Sequence, residues 1–503
     1  MSKIYKIFPG IGIARLGNSA DDYFIGPEAP GIVPPPPYRD AEGKIKRQGA
    51  RFRIYEYEVD QWGGATLQRE VTADDATINW TVRLVNSKAA GKNFPPLKST
   101  NRNAAYERQG LTIDAGSQMI TGKNSSVGPL QGDITFTKTR INEGSAQVKL
   151  GALKTDEAGR LIVLGGHGQS ASPLGCDLDN FANNDGWYDD VSDGPVTATV
   201  TIDGTTVNAI SAWVVVAAPA YAPGIYNMMT WYDQAVSVNA SFFHPIRQLD
   251  RPSFTKDIYP ILKRTVFLQW VSMPARRGHG NNTGGDFLVP DKLAKLSNNS
   301  DQYKPDRESV FNRLANPDNP RRDMPDLRSG VNPSNPSRRI DTSLTEHQYR
   351  MMTKWKDGDF ESDWSGSEPT PIPFDNLPLA EQPDALTQAA LEGCIGGPFF
   401  PGIETTYLMT LAETYSEPFR IDPAHPPGYL TEPMALPWQA DFLACGRLWW
   451  PAQRPVSVRA NGSFQDYSRG IDGYPGMVRH WSDLGFIVQD GDEYVERERR
   501  PIG

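Results

Sequence analysis

The sequence predicts an α+β protein whose strands come first and whose helices follow. In the first half of the chain, short segments rich in β-branched and aromatic residues stand between turn-forming residues. In the second half, apolar residues recur at the three- and four-residue spacing of amphipathic helices. We therefore predict a β-rich domain of sandwich-like sheets at 1–222 and a mainly helical, loop-rich domain at 223–503, the two either separate or joined in one compact unit.

Five segments of the first half carry the strand pattern, and several alternate apolar and polar residues as half-buried strands do. They are FRIYEYEV from residue 52, WTVRLVN from 80, GRLIVLGG from 159, PVTATVTI from 195 and NAISAWVVVAAP from 208. The helical pattern marks five later segments. They are PGIYNMMTWYDQAVS from 223, SFTKDIYPILKRTVFLQW from 253, LTEHQYRMMTKWKDG from 344, DALTQAALEGC from 384 and IETTYLMTLAETY from 403. Residues 31–49 and 315–339 are rich in proline and arginine without periodicity, so both are predicted to be long loops.

Composition narrows the classes of partner. The 503 residues include 51 Lys and Arg against 60 Asp and Glu, and the formal charge of -9 without a basic run argues against nucleic acid. Three cysteines are too few for a disulfide framework. No apolar stretch approaches the roughly 20 residues that span a bilayer, and the first residues lack a Sec-type signal. We expect no membrane partner and cytoplasmic synthesis and maturation, with export by a non-classical route left open.

Familiar catalytic and metal-binding motifs are missing. The six histidines and three cysteines show neither H-E-x-x-H nor paired C-x-x-C spacing, so we predict no metal site. GGHGQS from residue 165 lacks the order of a phosphate-binding loop and is interpreted as a tight turn. The acidic string at 183–195 lacks EF-hand spacing and is interpreted as a hydrogen-bonded loop.

The stretch PWQADFLACGRLWWPAQRP at 437–455 places a carboxylate four residues before a cysteine. If this stretch is helical, Asp441 and Cys445 share one face, with β-carbons about 5–6 Å apart. The carboxylate then reaches whatever the thiol contacts. A buried structural cysteine beside a helix-capping aspartate would give the same pattern, so these residues alone leave both interpretations open.

Seven blocks spread along the chain carry a family resemblance. They are IGIARLGNS (11–19), YFIGPEAPG (23–31), IKRQGARFRIY (45–55), NNDGWYDDVSDGPV (183–196), SFTKDIYPIL (253–262), GGPFFPGIE (396–404) and PWQADFLAC (437–445). Through them the sequence resembles the L-lysine 6-oxidase and glycine oxidase family of amino-acid oxidases, whose cofactor is cysteine tryptophylquinone (CTQ).

This resemblance implies a quinone made from the chain's own side chains: a tryptophan oxygenated twice on its six-membered ring and joined through that ring to a cysteine sulfur. Cys445 matches the family's cysteine through the D-x-x-x-C pattern. Trp481 in GMVRHWSDLGFIV is the expected tryptophan, and Trp449 and Trp450 are the alternatives. Asp441 is the expected proton acceptor in maturation. FAD is expected in a separate flavoprotein that completes the oxygenation, and not in this chain.

The implied activity is oxidative deamination of a primary amine, from an amino acid or a related amine, with O2. The products are an aldehyde or keto acid, ammonia and hydrogen peroxide. The resemblance suggests that Cys394 faces the quinone, and Tyr188 is a candidate to close over the substrate. The plainer interpretations are a small buried hydrophobe and an aromatic ring packed under a loop.

The resemblance also implies a homo-oligomer. A function of another class is a non-catalytic binding or scaffold protein in which Cys445 and the tryptophan stay unmodified. Visible absorbance separates the two, because a mature quinone is coloured and tryptophan is not.

Overall fold

The structure is a computed structural model, and its described residues are 2–92, 101–242, 251–318, 324, 328–332, 335–341, 343–396, 401–445 and 450–502. The order of elements confirms the α+β prediction, with strands as far as Ala217 and the first α-helix starting at Trp231. This junction lies near the proposed boundary at 222, but the division into two domains stays a prediction.

The N-terminal half consists mainly of strands. They are β1 Ser2–Phe8, β2 Ile11–Arg15, β3 Tyr23–Ile25, β4 Arg47–Val59, β5 Ala65–Val71, β6 Thr77–Val82, β7 Val85–Asn86, β8 Ile113–Asp114, β9 Gln118–Thr121, β10 Ser126–Lys138, β11 Ile141–Thr155, β12 Leu161–Gly165, β13 Ser170–Ala171, β14 Tyr188–Asp189, β15 Ser192–Ile202, β16 Thr205–Asn208 and β17 Ala212–Ala217.

Within the described residues, fifteen of these strands form one hydrogen-bonded sheet with the central order β10-β11-β12-β4-β2-β17-β15-β6-β9. The two ends of this path, β10 and β9, approach each other, so the sheet is nearly closed. Most neighbours are antiparallel, but β2 runs parallel to β17 with Ile11 opposite Trp213. Every residue of β2 and of β17 is buried, as expected for strands covered on both faces.

The C-terminal half contains the α-helices and several two-stranded ribbons. The helices are α1 Trp231–Phe242, α2 Tyr259–Phe267, α3 Met273–His279, α4 Pro290–Leu296, α5 Lys304–Phe311, α6 Glu346–Asp357, α7 Gln382–Glu392, α8 Trp438–Ala444 and α9 Gly473–His480. The later strands are β18 Arg328–Asn332, β19 Asn335–Asp341, β20 Tyr415–Glu417, β21 Arg420–Ile421, β22 Ser457–Ala460, β23 Ser463–Asp466, β24 Phe486–Asp490 and β25 Glu493–Arg497.

Helix α6 shows how local sequence sets these boundaries. Thr345 accepts a hydrogen bond from the Gln348 N–H while the Gln348 side chain bonds back to Thr345, which is a complete capping box. The helix stops at Gly358, whose φ of 83° is left-handed and suits glycine. The LTEHQYRMMTKWKDG prediction is therefore confirmed at both ends.

The predicted helix at 403–415 is wrong. The structure has two short 3-10 turns there, Tyr407–Thr410 and Ala412–Thr414, followed by β20. Threonine hydroxyls take the place of a helical ladder: Thr406 accepts from the Leu408 N–H, and Thr414 donates to the Leu408 carbonyl. Such local side-chain bonds compete with helix formation.

Two other regions differ from expectation. The long β10–β11 hairpin was not predicted, because its exposed polar positions and glycines dilute the strand pattern. The 315–339 segment, expected to be a loop, contains the ribbon made by β18 and part of β19, and the rest of it lies largely outside the described residues.

Candidate active site

Asp441 and Cys445 meet at the C-terminal end of α8. The Cys445 thiol donates a hydrogen bond to Asp441 Oδ1 at 3.2 Å, which confirms the shared helix face. The residues are 1% and 9% exposed. The second carboxylate oxygen, Oδ2, is buried and has no hydrogen-bond partner among the described residues. One oxygen is thus committed to the thiol and the other is available.

Helix α8 is capped by a residue far away in the sequence. Pro437 precedes it and supplies no side-chain cap, but Asp189 Oδ2 accepts the N–H of Trp438 at 3.1 Å. The same oxygen accepts Lys88 Nζ at 2.8 Å, and both side chains of this ion pair are fully buried. Asn86 Nδ2 donates to the other oxygen at 2.9 Å. The acidic string at 183–195 therefore positions α8.

Burial governs the electrostatics of this pair. It raises the pKa of Asp441 to about 7, against the opposing effects of the Cys445 hydrogen bond and the Lys88 charge. Burial, together with the Asp441 charge, also raises the pKa of the Cys445 thiol well above its usual value. Near neutral pH, Asp441 is therefore poised between its two protonation states, as a proton acceptor should be.

Trp481 packs against Trp438, the first residue of α8. It follows α9 directly, is 5% exposed, and meets the Trp438 ring edge to face with centroids 5.6 Å apart. Its carbonyl accepts the Tyr221 hydroxyl at 2.6 Å. Trp438, Asp441 and Cys445 are spaced i, i+3 and i+7, so α8 carries the indole contact and the thiol on one side.

Trp450, the alternative tryptophan, is also buried and packs with Met229 and Ile395. It lines a small cleft together with Cys445, Asp441 and Arg454. Trp449 lies outside the described residues. The two candidates that the structure describes, Trp481 and Trp450, thus both lie near α8. The assignment to Trp481 stays a prediction.

The glycine-rich loop after β12 packs on this site, although its sequence indicated only a turn. Gln439 of α8 donates to the Gly168 carbonyl at 3.2 Å and accepts the Ser170 hydroxyl at 2.7 Å. Asp190 accepts the His167 N–H at 2.7 Å. Gly168, with a φ of 77°, lies against the six-membered ring of Trp481.

Cys394 occupies a separate buried cluster. Arg15 donates to its sulfur at 3.6 Å and to the Gly393 carbonyl, and forms an ion pair with Glu404 at 2.7 Å. Glu404 in turn accepts the Ile395 N–H at 2.9 Å. Burial raises the pKa of the Cys394 thiol. Arg15 and Glu404 belong to the IGIARLGNS and GGPFFPGIE blocks, so two distant blocks meet here.

Cys394, Arg15 and Glu404 line a larger cavity, whose walls are mainly apolar. Gln453 lines both this cavity and the small cleft beside Cys445. Gln453 is therefore the side chain that the large cavity shares with the cleft lined by Asp441 and Cys445.

Tyr188 lies in the interior at the start of the β14 strand. It is 4% exposed, and its hydroxyl accepts Gln169 Nε2 at 3.2 Å. It does not line either of the two spaces described above. Its position matches an aromatic ring packed under a loop.

Sequence reasoning missed several residues that build this site, namely Lys88, Asp189, Asp190, Gly168, Arg15 and Glu404. Their partners are distant along the chain, so local spacing carried no signal. Within the described residues, no three His, Cys, Asp or Glu side chains group as metal ligands. The helices of the described parts are too short or too polar to cross a membrane.

Comparisons with known proteins agree with this architecture. Residues 8–216 match the family profile "L-Lysine epsilon oxidase N-terminal", and residues 326–462 match "L-lysine epsilon oxidase C-terminal domain". The L-lysine 6-oxidase of Marinomonas mediterranea is 26% identical over 653 aligned positions, which cover 96% of this chain and 87% of that protein.

Two crystal structures of the L-Lys epsilon-oxidase from Marinomonas mediterranea share the fold at 24% identity. One is its Schiff base intermediate with L-Lys, with a TM-score of 0.78 over 98% of this chain and 95% of that chain. The other has a TM-score of 0.77 over 98% and 94%. From the two profiles, which together span most of the sequence, the chain belongs to the L-lysine epsilon-oxidase family of amino-acid oxidases.

Proposed function

We propose that this protein is a quinoprotein oxidase that deaminates a primary amine, using a CTQ made from Cys445 and Trp481. The observation that carries the proposal is the buried thiol–carboxylate pair on α8, the helix whose first residue packs on the Trp481 indole. A rigid helix that carries both contacts suits a cofactor that must meet its substrate in one orientation.

The residues present fit the formation of this group. Joining sulfur to the indole ring removes one hydrogen from the thiol and one from a ring carbon, as two protons and two electrons. Asp441 accepts the thiol proton through the hydrogen bond that already joins them. The electrons pass to dioxygen or to the flavin of a separate flavoprotein partner, which the family resemblance suggests.

In turnover the quinone supplies a two-electron acceptor, and the balanced reaction is RCH2NH2 + O2 + H2O → RCHO + NH3 + H2O2. The chain must deliver the amine unprotonated and take up the proton lost from its carbon. Asp441 Oδ2, buried and without a described partner, is the available acceptor once the carboxyl is ionised.

The large cavity is the proposed substrate route. Arg15 and Glu404 neutralise each other's charge. The mainly apolar walls of the cavity can therefore hold the carbon chain of a substrate. Asn227 Oδ1 and Gln453 Nε2 are buried in its lining without partners among the described residues. An amine N–H can satisfy the first and a carboxylate or carbonyl oxygen the second. An amino acid or a related amine carries both groups.

The decisive experiment is peptide mass spectrometry of the chain produced with and without its natural flavoprotein neighbour. We expect a joined Cys445–Trp481 peptide pair that has gained two oxygen atoms and lost four hydrogens, only in the co-produced sample. Trp481→Phe should abolish the link and Trp450→Phe, the matched control, should keep it.

A link to the Trp450 peptide would reverse the choice of tryptophan. Unmodified peptides and a colourless protein in both samples would contradict the oxidase proposal and favour a binding protein. Sedimentation of the same samples tests the expected homo-oligomer.

A further inference from the structure

Gly168 contacts the reactive ring of Trp481 more closely than any side chain would allow. A methyl group at this position would overlap ring atom Cζ2 and lie 2.6 Å from Cη2 and 2.8 Å from Cε2. The distances from this methyl carbon to Cη2 and Cε2 are only slightly longer than its distance to Cζ2. Such similar distances are expected for an atom above the face of the ring and not at its edge. The glycine backbone therefore covers one face of the six-membered ring.

The loop that carries Gly168 is held from both sides. On its N–H side, Asp190 accepts the backbone N–H of His167 at 2.7 Å. On its carbonyl side, Gln439 of α8 donates to Gly168 at 3.2 Å. Gln439 lies between Trp438 and Asp441 in the same helix turn. The distance between the glycine and the indole is thus tied to the helix that carries the thiol.

We propose that Gly168 is a positioning residue for cofactor formation, because its missing side chain lets Trp481 sit where the ring can take up sulfur and oxygen. This inference rests on the proposed function. A side chain at 168 would displace the indole from α8, since the loop cannot retreat without breaking the bonds to Asp190 and Gln439. The displaced ring would lose its edge-to-face contact with Trp438, the first residue of the helix that ends at Cys445.

Gly168→Ala tests this inference, and Gly204→Ala is its matched control. Both glycines have a φ of 77°, so alanine strains the backbone equally, but nothing lies within 4 Å of a methyl group at 204. With the flavoprotein co-produced, we expect the yield of joined Cys445–Trp481 peptide to fall about tenfold or more in Gly168→Ala, as a barrier increase of ~1.4 kcal/mol would cause. Gly204→Ala should match wild type.

A stability measurement on the unmodified chain isolates the steric contact. Gly168→Ala should lower the melting temperature more than Gly204→Ala, and the excess should disappear when Trp481→Leu removes the six-membered ring. If Gly168→Ala does not fold, Gln439→Leu loosens the loop without adding atoms beside the ring and should reduce the yield to an intermediate level.

The outcomes separate the two proposals. Wild-type and Gly168→Ala chains that cross-link equally would overturn the positioning role and leave the oxidase proposal standing. A wild-type chain without cross-link would overturn the oxidase proposal and with it the role of Gly168 in maturation. An excess loss of stability that persists without the indole would contradict the ring contact itself.

Discussion

Cys445 and Cys394 are both buried cysteines beside a carboxylate, and their surroundings prepare them for different chemistry. The Cys445 thiol donates a hydrogen bond to Asp441, whose second carboxylate oxygen has no hydrogen-bond partner among the described residues. The sulfur of Cys394 instead accepts from Arg15, and the neighbouring Glu404 is committed to Arg15 and the Ile395 N–H. A satisfied ion pair holds a structure in place, whereas an under-satisfied acid can move a proton.

Replacing each cysteine by serine tests the difference between the two sites most directly. Cys445→Ser should abolish the cross-linked peptide and the visible colour, because the covalent bond to the indole needs the thiol. Cys394→Ser should keep both, at a stability cost of about 1 kcal/mol, since the hydroxyl can still accept from Arg15. Mass spectrometry and absorbance of both variants decide the matter, and loss of the link in Cys394→Ser would contradict the distinction.

Neutralising the two carboxylates should have opposite consequences. Asp441→Asn keeps the shape but removes the proton acceptor, so the rate of cross-link formation should fall by about 10²–10⁴-fold. The rate is followed by peptide mass spectrometry at timed intervals after the flavoprotein is added.

Glu404→Gln leaves the Arg15 guanidinium buried without its anion and should cost about 3–5 kcal/mol of unfolding free energy. Denaturant titration of the unmodified chain measures this loss. A Glu404→Gln chain of unchanged stability would show that the ion pair is not structural.

The pH dependence sharpens the contrast. Folding raises the pKa of Asp441 from its usual 3.8 to about 7, so between these values the folded chain binds more protons than the unfolded chain. The stability due to this group is therefore complete below about pH 4 and is lost as the pH rises through 7, by on the order of 2–4 kcal/mol.

Asp190, with its pKa raised to about 7, and Asp193, with its pKa raised to about 6, contribute in the same window. The effect of Asp441 is hence the difference between wild type and Asp441→Asn in unfolding free energy from pH 5 to 8. Identical slopes in the two chains would contradict a raised pKa for Asp441.

Gln453, which borders both spaces, gives the smallest predicted effect. Gln453→Leu removes the unpaired Nε2 donor, so KM for the amine should rise about threefold to tenfold, the equivalent of one hydrogen bond of ~1 kcal/mol. kcat should change little, because the proton acceptor is untouched. An unchanged KM in steady-state assays would show that the substrate does not contact Gln453.

The sequence predicts the part of the site that depends on local geometry. Asp441 and Cys445 are four residues apart in a short helix, so their contact follows from helical spacing alone. Trp481 came from family resemblance, because no local rule joins it to α8. The partners that set the electrostatics, Lys88 and Asp189, are joined to α8 only by the tertiary fold.

The fold shows the same division. Strands and helices with strong periodicity were predicted, and α6 is delimited by its own capping residues. The segment at 403–415 has helical spacing, but its threonine hydroxyls bond the nearby backbone and prevent a continuous helix. The periodicity of apolar residues indicates which face of a segment is buried. It does not indicate whether the backbone bonds to itself as a helix or to nearby threonine side chains.

The capping of α8 by Asp189 has a consequence for how the gene can be divided. The helix that carries the thiol starts after a proline and takes its first hydrogen-bond acceptor from the β-rich half. A polypeptide made from residue 223 onward would contain Asp441, Cys445 and Trp481 but not the carboxylate that closes the helix start, nor Lys88 to balance it. Cofactor assembly thus requires both halves of the chain. A protein made as two separate pieces would regain the site only if the pieces re-associate.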